Sequence, residues 1–192
     1  ELRLAVKAGS VLEDEDQRGI AHFVEHMAFN GTQHFPGNAV GTFMQSLGVR
    51  FGAHVNAHTG FDETVYELQI PTDNPAVVDR SLLILEDFAR SVSFDPVEID
   101  KERGVILEEW RLRLGADERL QNAQFPLLLK GSRHADRLPI GKPESIRNVN
   151  RDRLKQFYTD WYRPDLMAVV VVGDINKAMI EAQIKSHFGS IP

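Results

Sequence analysis

The sequence predicts an α+β fold, with helices packed on a largely antiparallel sheet. Segments that alternate apolar and polar residues, or run unbroken through apolar ones, are interleaved with segments whose apolar residues recur every three or four positions. Two strand-like segments, 52–58 and 63–70, are separated only by a short turn containing Gly60, which reads as a hairpin and therefore as antiparallel pairing. At 192 residues, 42% hydrophobic and 26% charged, the chain has material for one core of ordinary size.

Each element follows from local pattern. Alternation over 2–8 predicts the first strand. The acidic run Glu13-Asp14-Glu15-Asp16 is expected to be a solvated loop. Beyond Gly19, the spacing of Ile20, Phe23, Val24 and Met27 predicts a helix, punctuated by Asn30-Gly31. A short helix over 39–47 ends at Gly48, and the hairpin follows. Pro75 opens a long helix to about 92, with Val77, Val78, Leu82, Leu85 and Phe88 in its apolar stripe. Asp95-Pro96 starts the next, to about 114, because proline is tolerated in a first helical turn. A helix over 117–130, with a break expected near Pro126, leads into a loop over 131–143. Residues 150–162 are helical, 167–172 read as a fully buried strand, and 176–188 close as a helix.

Composition excludes several functions. A net charge of −6, with no stripe of Lys and Arg, argues against a nucleic-acid surface. No apolar run approaches the roughly 20 residues that a membrane-spanning helix needs. The absence of Cys removes disulfides, thiol nucleophiles and thiolate zinc sites. The chain starts at Glu1 inside an alternating segment and carries no leader pattern, so it is expected to be a domain cut from a longer protein.

The chemistry lies in His22-Phe23-Val24-Glu25-His26. On a helix, positions i and i+4 share a face, so both imidazoles can reach one ion, and Glu25 projects close enough to touch a water on it. A catalytic zinc needs a third protein ligand and an open position. Without Cys the third ligand is His, Asp or Glu, and the run from Glu98 to Trp110 supplies candidates. Glu102 and Glu109 are seven residues apart and share a helix face, whereas Glu108 points away from it. Either of the pair could ligate while the other orients a ligand. The other histidines are expected at the surface or, for His54 and His58, too far apart along a strand to share an ion.

The inverted motif, its continuation Met27-Ala28-Phe29-Asn30-Gly31-Thr32, then Val55-Asn56-Ala57-His58-Thr59, Asp62-Glu63-Thr64-Val65-Tyr66, Glu102–Arg111, Pro139-Ile140-Gly141 and Val170–Ile175 resemble the pitrilysin/insulinase family of zinc peptidases. Phe35-Pro36-Gly37-Asn38, Arg50-Phe51-Gly52 and Glu108-Glu109-Trp110-Arg111 are most similar to its PqqL-like bacterial members. The resemblance implies a LuxS/mitochondrial-processing-peptidase-like metallohydrolase fold over 1–192, forming one N-terminal catalytic domain of a larger peptidase. It implies one Zn2+ per chain held by His22, His26 and Glu109, with Glu25 as general base, Glu102 supporting the ligands, and Asn56 and Ala57 on the strand edge that takes substrate. One departure stands out. Glu102 lies 76 residues after His26, the interval many members show for the ligand, and Glu109 lies 83 after it. Local context favours Glu109, with extra residues around 47–53 absorbing the difference.

The resemblance further implies a peptide or unfolded protein segment as substrate, a periplasmic location, and C-terminal domains that close a chamber and help to position substrate. The fragment alone is therefore expected to bind zinc and to hydrolyse peptides weakly or not at all. The competing expectation is a scaffold domain that keeps the fold without catalysis. A metal lyase of the S-ribosylhomocysteinase kind is excluded, because it needs a Cys ligand.

Overall fold

A computed structural model describes residues 1–191. Strands β1 (Leu2–Val6), β2 (Val55–Thr59), β3 (Thr64–Leu68) and β4 (Met167–Val171) form one sheet in the order β2-β3-β1-β4, and every adjacent pair is antiparallel. The expected hairpin is β2–β3, with Ala57 opposite Tyr66 and Thr59 opposite Thr64. Leu2, Leu4 and Val6 of β1 lie in register with Leu68, Tyr66 and Thr64 of β3, and this face is buried. The opposite face carries an Arg3–Glu67 ion pair at 3.2 Å. One face is thus dry and one open, as the alternation of β1 requires.

The helices are α1 (Ile20–Phe29), α2 (Ala39–Ser46), α3 (Pro75–Arg90), α4 (Pro96–Leu112), α5 (Ala116–Leu128), α6 (Pro143–Asn148), α7 (Arg151–Trp161) and α8 (Lys177–Phe188). Their starts obey the capping rules. Asn74 Oδ1 accepts from Ala76 N, Asp95 Oδ1 from Val97 N, Asn150 Oδ1 from Arg153 N and Asn176 Oδ1 from Met179 N, at 2.8–3.1 Å. Helix α1 lies against β2, β3, α4 and α7, so it is apolar nearly all round and its polar residues point to few places.

Four expectations need correction. The acidic run is solvated at Asp14, Glu15 and Asp16 but not at Glu13, which is fully buried and whose carboxyl accepts from Gly19 N at 3.0 Å and Ala21 N at 2.9 Å. It satisfies donors at the start of α1 that the glycine there cannot cap. Residues 167–172 are not a fully buried strand. β4 is an edge strand, and Val170 and Val172 are 44% and 66% exposed. A run of valines cannot distinguish burial on one face from burial on two. Helix α5 passes through Pro126 without ending. Finally, His34 is exposed as expected, though its Nδ1 lies 2.8 Å from buried Asp87, whereas His187 is largely covered and bridges α8 to Glu86 and Asp79 of α3 at 2.8 and 3.1 Å. Helix α6 has only six residues and left no periodic signal to read.

Candidate metal centre

Helix α1 sets the first part of the site. It begins at Gly19, whose φ of 99° lies in the left-handed region. A side chain there would also press on Gly141, whose Cα is 3.1 Å from the Cβ position. Two glycines thus let the 131–143 loop run directly over the start of α1. The loop is fastened by Ser10 Oγ donating to the Arg137 carbonyl at 2.5 Å and by Arg137 Nε and Arg133 Nη2 donating to the Glu13 carbonyl at 3.0 and 2.6 Å. Pro139 and Ile140 then form one wall of a cleft of about 420 Å³. The other walls include His22, Glu25, His26 and Glu109, together with Asn56–Thr59 of β2.

His22 and His26, one helical turn apart, bring their Nε2 atoms to 3.1 Å, with the rings nearly perpendicular at 84°. Helix α4 approaches from the side. Arg103 donates to the carbonyls of Ile146 and Val149 and so anchors α4 to the segment that holds α6. Both carboxylates of the shared face meet the histidines, but at different atoms. Glu102 Oε1 lies 2.6 Å from His26 Nδ1. Glu109 Oε2 lies 3.6 Å from His22 Nε2 and 3.5 Å from His26 Nε2. Glu108 points to solvent and pairs with Arg111.

The charges suit a cation. A carboxylate only accepts, so Glu102 holds a His26 proton at Nδ1 and leaves Nε2 facing the cleft. Burial would lower the pKa of His26, but its hydrogen bonds to Glu102 and Glu109 more than offset this and hold it high, so a cation at Nε2 would take the place of a proton there. Burial and the neighbouring His26 keep His22 well below the usual range, so His22 is neutral, as a ligand must be. Glu109 is held low by its hydrogen bond to His26, and its other oxygen accepts from Arg113. Glu25 is raised by burial, partly offset by a hydrogen bond from Thr59.

These residues fit zinc. Tetrahedral coordination at the usual zinc–nitrogen and zinc–oxygen lengths puts ligand atoms about 3.3–3.6 Å apart. The three separations among His22 Nε2, His26 Nε2 and Glu109 Oε2 are 3.1, 3.5 and 3.6 Å. A carboxylate oxygen of Glu25 also lies within 4.8 Å of ligand atoms of both histidines, but Thr59 Oγ1 donates to Glu25 Oε2 at 2.5 Å and draws it towards β2. Asn56 and Ala57 line the same cleft on β2, whose one partner strand among the described residues is β3, with Phe51 bridging to Val55 at its start. Sequence reasoning gave no role to Thr59, Arg113 or Ile140, all of which line the cleft. Thr59 carried one signal: it shares a strand face with Ala57, two residues before it.

Residues 1–132 match the family described as Insulinase (Peptidase family M16), and 148–192 match the Peptidase M16 inactive domain. The chain is 42% identical over 191 residues to the probable zinc protease PqqL of Escherichia coli (strain K12), covering 100% of this chain and 20% of that protein. It is 44% identical over 189 residues to a zinc protease PQQL-like protein of Arabidopsis thaliana, covering 97% and 20%. The solved structure of the periplasmic protease PqqL from Escherichia coli superposes with a TM-score of 0.95 over 100% of this chain and 21% of that one. A mutant of the ferredoxin protease FusC, solved in complex with Arabidopsis ferredoxin, superposes at 0.92 with 34% identity, covering 100% and 21%. The chain thus spans about a fifth of the length of the curated relatives it matches.

Proposed function

The chain belongs to the insulinase family of peptidases, M16, and from that premise we propose that residues 1–192 are the N-terminal catalytic domain of a longer zinc metalloendopeptidase. Its substrates are peptides or unfolded protein segments. One observation carries the reading: His22 Nε2, His26 Nε2 and Glu109 Oε2 form a triangle of 3.1, 3.5 and 3.6 Å in a cleft bordered by the edge of β2 beyond Val55.

In this reading His22, His26 and Glu109 hold one zinc ion. When bound, zinc supplies a Lewis acid that acidifies a water and polarises a carbonyl. Glu25 would accept a proton from a water at this site and return it to the leaving amine, a task that suits a carboxyl raised by burial. Glu102 orients His26 through Nδ1, and Arg113 steadies the far oxygen of Glu109. The edge of β2 at Asn56 and Ala57 receives substrate as an added strand, where main-chain pairing gives affinity with modest demand on sequence. The remaining length of the protein supplies the domains that complete the substrate chamber, so the 192-residue chain alone binds zinc but turns over poorly. The Escherichia coli relative supports a periplasmic location, which fractionation of the source cells would test.

Zinc content and affinity of the purified chain, beside Glu109→Ala and Glu102→Ala, test the assignment. The expected pattern is one zinc per chain, lost in Glu109→Ala and weakened in Glu102→Ala. The reverse pattern makes Glu102 the ligand. No zinc in either the chain or the full-length protein makes this a scaffold domain.

A further inference from the structure

Thr59 ends β2 on the face that looks towards α1, in register with Thr64. Its Oγ1 lies 2.5 Å from Oε2 of Glu25. Proton counting fixes the direction of this bond. A hydroxyl has one proton to give, and an ionised carboxylate can only accept. Thr64 Oγ1, 3.4 Å from Thr59 Oγ1, directs its own proton to the Ala8 carbonyl at 2.9 Å. Thr59 therefore takes no proton from Thr64, and its own goes to the much nearer Glu25.

Glu25 has two places to be. Its carboxylate and the ring nitrogens of His22 and His26 offer ligand atoms that all lie within 4.8 Å of one another. A modest side-chain rotation would bring it onto a cation held by the histidines, filling the position that a catalytic centre leaves open for water. We propose that Thr59 is a positioning residue: its hydroxyl tethers Glu25 to the sheet, keeping the carboxylate off the metal and facing the water it deprotonates. This rests on the zinc-site reading above. The tether joins the strand edge offered to substrate to the proton-accepting group, so both are placed by one strand.

The test uses the full-length protein with cobalt(II) in place of zinc, because the visible absorption of cobalt reports its coordination. Thr59→Val keeps the shape and removes the hydroxyl, and Thr59→Ser keeps the hydroxyl. Thr59→Val is expected to shift the cobalt spectrum, to bind the metal about tenfold more tightly, and to lower kcat about 100-fold with KM within about twofold. Thr59→Ser is expected to restore all three properties. Adding Glu25→Ala to Thr59→Val is expected to return the unmodified spectrum. If Thr59→Val fails to fold, Thr59→Ala makes the same comparison. An unmodified spectrum and affinity in the hydroxyl-free variant overturn the tether. His22→Ala separates the two readings: loss of cobalt there upholds the metal site, so an unchanged Thr59→Val counts against the tether alone. Cobalt retained in His22→Ala overturns both.

Discussion

Nδ1 of His26 lies 2.6 Å from Oε1 of Glu102, on the side of the ring away from the Nε2 that faces His22. The carboxylate fixes the tautomer and the tilt of the ring from behind, across an interval of 76 residues in the chain.

From this follows a graded loss. Glu102→Gln keeps an acceptor but removes the charge, and Glu102→Ala removes both. Zinc affinity, measured by competition with a chromophoric chelator, is expected to fall about 10- to 100-fold in Glu102→Ala and by less in Glu102→Gln. Equal affinity in all three proteins would show that the contact orients nothing.

Glu13 makes stability depend on pH. Burial pushes its carboxyl up to about 8, against the pull of the Ala21 and Gly19 amides. A raised carboxyl means that the folded state holds a proton that the unfolded chain releases near pH 4.5. Its contribution is therefore complete below about pH 4.5 and is lost as pH rises to about 8. Urea unfolding of the unmodified chain and Glu13→Gln at pH 5 and pH 8 isolates this, because the cost of the amide itself is the same at both. The stability difference is expected to move in favour of Gln by about 2–4 kcal/mol on going to pH 8. No movement would mean that the carboxylate is ionised throughout.

Gly141 admits no side chain. Its φ is 74°, and a Cβ there would overlap Gly19 Cα and lie 2.7 Å from the Arg18 carbonyl oxygen. Gly141→Ala is expected to cost about 2–4 kcal/mol in chemical denaturation, combining left-handed strain with displacement of the loop. Zinc affinity should fall with it, because the loop presses on the helix that carries both histidines. A variant as stable as the original would show that the two backbones separate freely.

The hydroxyls of Tyr66 and Tyr162 meet at 2.8 Å in the core. Removing one strands the other, so Tyr66→Phe and Tyr162→Phe are each expected to destabilise by about 1–3 kcal/mol. The double variant should cost less than the sum, and a double-mutant cycle reads the coupling. Strict additivity would mean that each hydroxyl is satisfied elsewhere.

Local pattern carried much of this molecule. The spacing of Ile20, Phe23, Val24 and Met27 determined α1, and with it that His22 and His26 share a face, because helical periodicity is a property of neighbouring residues. The interval between Glu102 and Glu109 likewise put both carboxylates on one face of α4, and the short turn after Thr59 determined the hairpin. Relations between distant segments were decided only in the folded chain. Which nitrogen each carboxylate meets depends on how α4 leans on α1, and nothing within α4 encodes that angle. Glu13 reads as one more charge in an acidic run until α1 starts directly beneath it. The valines of β4 look the same at an edge as in the middle of a sheet. The hold of Thr59 on Glu25 spans 34 residues, and only the packing of a strand against a helix brings that hydroxyl to that carboxylate.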